Sequence, residues 1–599
     1  MGREPGTVLA LVERQCEDRP EAVAVELPGG GTRTYADLRR RVARIASAVR
    51  PRLSAPGARV AVDLPNGLDF CAAVLAVLGS GAVVVAVDRT QPPPRAAAML
   101  GAAAPEVVIT DRPGGPAVAA APGSPAIVDL SPAREDPARE DPTHGDPAHG
   151  DLARGPADPG APAYVIFTSG TTGTPKATLN THAGLLNHML FIRDVCPLPD
   201  GSRVLLKSAR SFDAWILEFF WAFTQGHTLV LADEERATDA RYLAAELAGR
   251  SIHGFVCVPS LLRRVLAMLR RTGVGTELHT VISAGEALKA DLAAEVLTAT
   301  GARLFNLYGP AEAAIDVAYH PVEGPRVADP LPIGRPIPGN RLTVRDAAGR
   351  DITRTGGTGE LVVTGVHVGL GYAGDTAATA ARFGTGTGGE RSYATGDLAY
   401  LGPDENFYIG GRVDAQVKIN GVRVETAEIE ACLSRHRTVA DCTVQVTRSG
   451  EVPVLVAFIQ ADGDAAPESE YINYLRGLLP PVMVPPAYVF LTEFKKLPSG
   501  KKDTSALVYP RGLPTVTAAD FEPPAGPDEQ ELAGIWEAVL GVAPIGALDE
   551  FALVGGDSLK MIDVLVKISE SLYPDVFGLG VTRLSTVRDL AGRIRPAAD

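Results

Sequence analysis

The sequence predicts a multidomain α/β protein that closes with an all-α helical bundle. Three observations predict it. At 599 residues the chain is too long for a single hydrophobic core. Apolar β-rich runs alternate with alanine-rich helical stretches through its first half. From 528 to 599 helical segments follow one another: DEQELAGIWEAVLG, SLKMIDVLVKISESL and TVRDLAGRI.

The alternation is clearest in three strand–helix pairs. RVAVDL precedes FCAAVLAVLGSG, HTLVLA precedes ARYLAAELAGR, and HTVISAG precedes LKADLAAEVLTATG. Such β-α units pack into mixed or parallel sheets. The longest apolar stretch, Phe70 to Val87, is interrupted by Gly79, Ser80 and Gly81. It therefore reads as helix, turn and buried strand rather than a membrane span. Residues 132–155 form a degenerate five-residue repeat with regular proline and no apolar partner, which predicts a mobile surface loop. From 333 to 412 the pattern changes to short strands with glycine turns, and a small barrel-like sheet is expected there. A short α+β stretch follows, then RGLPTVTAADFEPPAGP, which reads as a linker. The expected domains are 1–412, a small mobile one at 413–510, the linker 511–527, and the helical bundle 528–599.

Composition narrows the class. A hydrophobic share of 46% and a charged share of 21% are ordinary for a soluble globular protein. Net charge of −14 argues against nucleic acid as the main partner, yet local donors can hold a phosphate inside an acidic protein. The six cysteines form no CxxC pair, so neither a disulfide framework nor a zinc site is expected, and a reducing cytosol fits. Glu13 and Arg14 break the N-terminal apolar run, which excludes a signal peptide reading, and the expected location is cytoplasmic with no membrane partner.

Two motifs carry chemistry. Phe167 to Lys176 reads FTSGTTGTPK. Thr168, Ser169, Gly170, Thr171, Thr172 and Gly173 offer hydroxyls and closely approachable backbone N–H groups, with Lys176 as counter-charge to a phosphate. Its spacing is not that of a Walker A loop. Near the C-terminus, VGGDSLK places Ser558 at the mouth of a helix behind a glycine pair. A nucleotide loop and a prosthetic-group serine in one chain imply an enzyme that activates a small acid and loads it onto itself.

The chain closely resembles the adenylate-forming superfamily, specifically the adenylation domains of nonribosomal peptide synthetases. The resemblance runs from Thr34-Tyr35-Ala36-Asp37-Leu38 through the phosphate loop, Phe212-Asp213, Asn306-Leu307-Tyr308-Gly309-Pro310-Ala311-Glu312 and Tyr393-Ala394-Thr395-Gly396-Asp397-Leu398. It continues through GRVDAQVKINGVRVE from Gly411 to Pro498-Ser499-Gly500-Lys501. It implies that Tyr308 stacks on adenine, Asp397 accepts from the ribose hydroxyls, and Arg412 holds the ribose and phosphate side. It further implies that Glu312 binds Mg²⁺, and that Lys501 bridges the substrate carboxylate and the nucleotide during attack. Asp414 stands where related enzymes hinge their small domain. Ala177, Ala311, Ser499 and Thr504 depart from the family pattern while leaving the charged atoms in place. The final segment resembles a peptidyl carrier protein with 4'-phosphopantetheine on Ser558.

Asp213 stands where amino-acid-activating members pair with the substrate α-ammonium. The side-chain pocket carried over by resemblance is Ala214, Leu217, Leu261, Ile282, Ala284, Leu307, Ile315 and Asp316. Its aliphatic lining favours a branched aliphatic or cyclic substrate such as proline, while Asp316 would suit a hydroxyl or cationic side chain. The expected activity is ATP-dependent formation of aminoacyl-AMP and thioester loading onto the chain's own carrier. The expected partners are a phosphopantetheinyl transferase and a downstream synthetase or tailoring enzyme; need for an MbtH-like activator is left open. Two other activities compete. One is an acyl- or aryl-CoA ligase, against which Asp213 and the carrier count. The other is a GDSL-type hydrolase at Ser558, against which the absence of any histidine after His436 counts.

Overall fold

The computed structural model describes residues 6–594 apart from 132–157, 170–174, 325–326, 328, 387, 414–416, 420–421, 450–451, 464, 496–501, 503–506, 508–522, 541–544, 548–550, 552–555, 557 and 577–585. The proline-rich repeat, the heart of the phosphate loop, Asp414, Lys501 and most of the linker thus lie outside the described residues. The chain divides into two compact units, one built from 1–170 and 174–423, the other from 424–599.

The first unit rests on two large sheets. A seven-stranded sheet runs in the order Gly371–Tyr372, Lys176–Thr181, Pro162–Thr168, Val83–Ala86, Arg59–Asp63, Val107–Thr110, Ala126–Asp129. A nine-stranded sheet has Gly254–Cys257, Thr280–Ser283 and Arg303–Tyr308 side by side and parallel, then antiparallel Ala318–Val322. The β-α units expected from the alternation supply both parallel cores. The interrupted stretch folds as helix Leu68–Gly79, a turn with Gly81 at φ 72°, and strand Val83–Ala86.

Two helices explain how the sheets are joined. Leu68–Gly79 is buried from Phe70 onward, and Ala214–Gln225 from Trp215 to Thr224. A helix apolar on every face has no side to offer water. Both share one core with Val60, Val62 and Val84 of the smaller sheet and with Val204, Leu206 and Leu229 of the larger. Phe70 meets Trp215 at 5.7 Å and Phe219 at 6.3 Å between ring centroids. Successive residues of each strand face opposite ways, so Ala61, Val83, Val85 and Val108 belong to separate clusters beyond the smaller sheet.

The short strands with glycine turns form an antiparallel sheet of five: Asn340–Arg345, Gly359–Gly365, Arg391–Leu401, Phe383–Thr385 and Phe407–Arg412. In the second unit, Val439–Ser449, Val452–Ala461 and Ala487–Leu491 make a three-stranded sheet accompanied by helices Thr426–Leu433 and Glu468–Arg476. Helices Gly526–Leu540, Ser558–Ser571 and Val587–Ile594 close the chain, so 526–527 of the expected linker are helical. Their core is Leu532, Trp536, Phe551, Val564, Ile568 and Leu590, with Trp536 edge-on to Phe551 at 4.8 Å. Arg588 donates to Glu529 at 2.9 Å, tying the last helix to the first.

Candidate functional site

Strand Arg303–Tyr308 ends at the centre of the site. Beyond it the chain turns back sharply: Val317 N–H donates to Tyr308 O at 2.7 Å, and a Cβ added to Gly309 would lie 2.1 Å from Ile315 O. Only glycine fits that approach. Ala314 and Ile315 have φ of 41° and 77°, and a β-branched residue at positive φ marks strain held by its surroundings. Asn180 supplies the hold, donating to Ala311 O at 2.9 Å and accepting from Ala314 N at 3.1 Å. This turn aims Tyr308, Glu312, Ile315 and Asp316 into one region.

The residues expected on the nucleotide side meet there. The Tyr308 hydroxyl donates to Asp397 Oδ2 at 2.5 Å, and Arg412 pairs with Asp397 Oδ1. Asp397 and Arg412 stand directly opposite on neighbouring strands, which fixes the pair. Burial and the Asp397 charge push the Tyr308 phenol well up, so it stays a donor. Glu312 is fully buried and pairs with Arg423 at 3.0 Å, while the Tyr372 hydroxyl donates to it at 2.9 Å. Burial pushes Glu312 up, but Arg423 and Tyr372 outweigh it and hold the carboxyl below its ordinary value. Lys176, opening strand Lys176–Thr181, lies 5.0 Å above the Tyr372 ring.

The residues expected on the amino-acid side are held differently. Asp213 ends the turn before helix Ala214–Gln225 without capping it through its side chain. Burial, then repulsion from Asp316, raise its carboxyl to about 7, with Lys418 pulling the other way. Asp316 is likewise raised to about 7 by burial, against the pull of Lys418. Leu217, Ile282, Leu307 and Ile315 share one buried cluster with Ala214 and Ala284 packed on it, and Leu261 is buried too. His188 Nε2 lies 3.2 Å from Asp316 Oδ2. His367 Nδ1 is 2.7 Å from the Asp316 carbonyl, which can only accept, so that nitrogen carries the proton. Its Nε2 then accepts from Asn187 at 2.8 Å. Burial holds both imidazoles neutral, at about 3.

Thr168 and Ser169 are buried at the end of strand Pro162–Thr168; Gly170, Thr171, Thr172 and Gly173 lie outside the described residues. Ser558 opens helix Ser558–Ser571, the position expected of it. A Cβ on Gly556 would lie 2.3 Å from the Phe551 ring, so the turn before the serine needs glycine. The sequence reading assigned no role to His188, His367, Tyr372, Lys418 or Arg423. Lys418 and Arg423 stand inside the stretch that carried the resemblance, and their charges were the available signal. The histidines gave none, because only the fold brings them to Asp316.

Among the described residues no group of three or more His, Cys, Asp or Glu could hold a metal ion, and no helix is long and apolar enough to cross a membrane. Cys16, Cys71, Cys196, Cys257 and Cys442 are buried free thiols.

The AMP-binding enzyme family model matches residues 12–373, the AMP-binding enzyme C-terminal domain 428–501, and the phosphopantetheine attachment site 530–594. Tyrocidine synthase 3 of Brevibacillus parabrevis is 34% identical over 569 residues, covering 94% of this chain and 8% of that synthase. Phosphinothricin tripeptide synthetase PhsB of Streptomyces viridochromogenes is 35% identical over 572 residues, covering 93% of this chain and 46% of that protein. The chain thus spans less than half the length of these relatives. Holo-PA1221, an NRPS protein containing adenylation and PCP domains, superposes with a TM-score of 0.77 at 25% identity, covering 98% of this chain and 96% of that one. The chain therefore belongs to the AMP-binding enzyme family, with that family's C-terminal domain and a phosphopantetheine attachment domain fused behind it.

Proposed function

We propose that this chain activates an L-α-amino acid with ATP and passes the aminoacyl group to its own carrier domain. One observation carries the reading: a nucleotide pole, Tyr308–Asp397–Arg412, and an ammonium-seeking pole, Asp213, share one site. The Lys418 ammonium lies 6.0 Å from the Tyr308 ring and acts electrostatically on both Asp397 and Asp213. The peptide-synthetase names of the relatives support an amino acid as the acid activated.

The substrate carboxylate attacks the α-phosphorus of ATP, an acyl–phosphate bond forms, and pyrophosphate leaves. The carboxylate is already anionic at neutral pH, so no base has to deprotonate it. Asp213 pairs with the α-ammonium and aims the carboxylate; a buried charge of this kind rejects acids lacking that group. Tyr308 offers an aromatic face to adenine, and Asp397 with Arg412 takes the ribose and phosphate side. Thr168, Ser169, Gly170, Thr171, Thr172 and Gly173 cradle the phosphates. Lys176 and Lys501 neutralise charge gathering at the α-phosphate.

Glu312 fits Mg²⁺, since it is a buried carboxylate already facing a cation, and Mg²⁺ takes one or two carboxylates with phosphate and water oxygens. Bound there, the metal would neutralise phosphate oxygens. Ser558 fits 4'-phosphopantetheine, because it opens a helix behind a turn that a Cβ at Gly556 would block. That group supplies the thiol that takes the aminoacyl cargo as a thioester. We assign 1–412 to the adenylation core, 413–510 to its mobile subdomain hinged at Asp414, and 528–599 to the carrier. The partners are a phosphopantetheinyl transferase and a cytoplasmic downstream synthetase or tailoring enzyme, with an MbtH-like activator tested by co-expression. The apolar wall fits an aliphatic or cyclic side chain such as proline, and Asp316 fits a hydroxyl or cation.

Intact-mass spectrometry after phosphopantetheinylation, MgATP and pooled amino acids tests the whole reading. A cofactor increment lost in Ser558→Ala, plus an amino-acid increment lost in Lys501→Ala, is expected. Modification of Ser558 with no amino acid ever loaded, with or without an MbtH-like protein, would sink it.

A further inference from the structure

The carboxylate assigned to the metal is already occupied. Arg423 Nη1 lies 3.0 Å from Glu312 Oε1 and 3.3 Å from Oε2, so one guanidinium nitrogen faces both oxygens. Glu312 is fully buried, and a buried carboxylate without a cation is strongly disfavoured. The same short strand, Val422–Val424, reaches a second nucleotide-handling residue: Ser169 Oγ donates to the Arg423 carbonyl at 3.2 Å. A hydroxyl that would serve a phosphate thus serves backbone instead. Tyr372 joins the group, with its hydroxyl on Glu312 and Lys176 over its ring.

Mg²⁺ binds carboxylate oxygen at about 2.0–2.1 Å, inside the space that a guanidinium nitrogen at hydrogen-bond distance occupies. Two cations on the same pair of oxygens also repel each other in a site with little water to screen them. We propose that Arg423 is a positioning residue that stands in for the metal at Glu312, so that metal–nucleotide binding and Arg423 docking exclude one another. This rests on Glu312 being the metal ligand. Arriving MgATP releases Arg423 from Glu312 and its carbonyl from Ser169. When pyrophosphate departs with its metal, Arg423 returns, and the buried carboxylate is never left bare. Re-entry of Mg-pyrophosphate must then displace a paired guanidinium, which disfavours reversal before the aminoacyl group is transferred.

The test uses the full chain with Arg423→Gln and Arg423→Lys. Mn²⁺ affinity is read by electron paramagnetic resonance in the presence of α,β-methylene-ATP, which does not react. Beside it stand the Mg²⁺ concentration half-saturating ATP–pyrophosphate exchange and the melting temperature. If the docked state holds nine molecules in ten, removing it tightens apparent metal binding about tenfold. Arg423→Gln is therefore expected to bind Mn²⁺ about tenfold tighter and to need correspondingly less Mg²⁺. Arg423→Lys keeps the charge but not the planar fork, so a shift of about two- to threefold is expected. Unchanged or weaker Mn²⁺ binding in Arg423→Gln, at an unaltered melting temperature, overturns the proposal and leaves a merely structural ion pair. If Arg423→Gln does not fold, Arg423→Lys decides, and no shift there overturns it as well. Glu312→Gln separates the two layers: wild-type Mn²⁺ binding in that variant would remove Glu312 as the metal ligand and sink the reading beneath.

Discussion

The two ends of the site handle negative charge in opposite ways. On the side proposed for the nucleotide every named carboxylate has a cation of the chain beside it: Asp397 has Arg412, and Glu312 has Arg423. On the side proposed for the amino acid Asp213 and Asp316 repel each other, and both carboxyls are raised to about 7. The lesson lies in what each ligand brings. On the proposed reading ATP arrives as an anion with a metal, so the chain supplies cations and keeps the carboxylates satisfied until then. On the same reading an amino acid arrives with its own ammonium, and the chain keeps a carboxyl waiting for it. Pre-paired groups favour stability; a waiting group trades stability for selectivity.

Removing the waiting charge should break this contrast most severely. Asp213→Asn leaves the substrate ammonium buried without a counter-ion, and a loss of roughly 10³-fold in kcat/KM for the amino acid is expected. Amino-acid-dependent ATP–pyrophosphate exchange measures it, and KM for ATP should hold. Asp397→Asn is the opposite case. It strips Arg412 and the Tyr308 hydroxyl of a charged acceptor, and KM for ATP should rise about 10- to 100-fold with the amino-acid KM steady. If both variants moved both constants together, the two poles would not be separable.

The raised carboxyls sharpen the comparison through pH. Asp213, ordinarily near 3.8, is raised to about 7 by burial and by Asp316, with Lys418 opposing and Glu312 adding to the repulsion. Between those values the native state holds a proton that the unfolded chain has lost. Its stabilising contribution is therefore complete below 3.8 and is lost as pH rises toward 7. Ligand binding runs the other way, because the ammonium pairs with the ionised form. Below pH 7 the amino-acid KM should climb by about tenfold per unit, while KM for ATP stays nearly flat. Exchange rates at saturating ATP from pH 5.5 to 8 check this, and a flat amino-acid KM would remove Asp213 as the ammonium partner.

The legible parts of the chain were those that local sequence determines. Alternating apolar runs announced the β-α units, and a glycine-broken apolar stretch announced helix, turn and strand at Phe70–Val87. Tyr308, Glu312 and Asp397 stand in contiguous motifs, and the Tyr308 hydroxyl does meet Asp397. The unread part is what convergence creates. That Arg412 stands opposite Asp397 depends on strand register, and that Arg423 reaches Glu312 depends on a strand more than a hundred residues downstream. Asn187, His188 and His367 are ordinary polar letters in helical or strand-flanking sequence. Nothing in their spacing says that the turn at Ala314 and Ile315 will drop Asp316 between them.

That cluster yields the smallest expected effect. His188 is fully buried and neutral, so its Nε2 meets an ionised Asp316 as an N–H donor, or accepts from a protonated Asp316 in the other tautomer. Replacing it with phenylalanine keeps the ring against Phe191 but removes the polar atom, leaving an Asp316 oxygen without this partner. A buried acceptor so stranded costs about 1–3 kcal/mol, so the melting temperature should fall by several degrees. Asparagine at 188 would restore a donor but not the volume, and should recover only part of it. The accepted side chain tells whether Asp316 is pole or wall. If Asp316 contacts the substrate, His188→Phe shifts the relative loading of hydroxyl, cationic and aliphatic amino acids. If it only braces the turn that carries Ile315, every substrate weakens alike, by a few-fold at most, and stability alone records the loss.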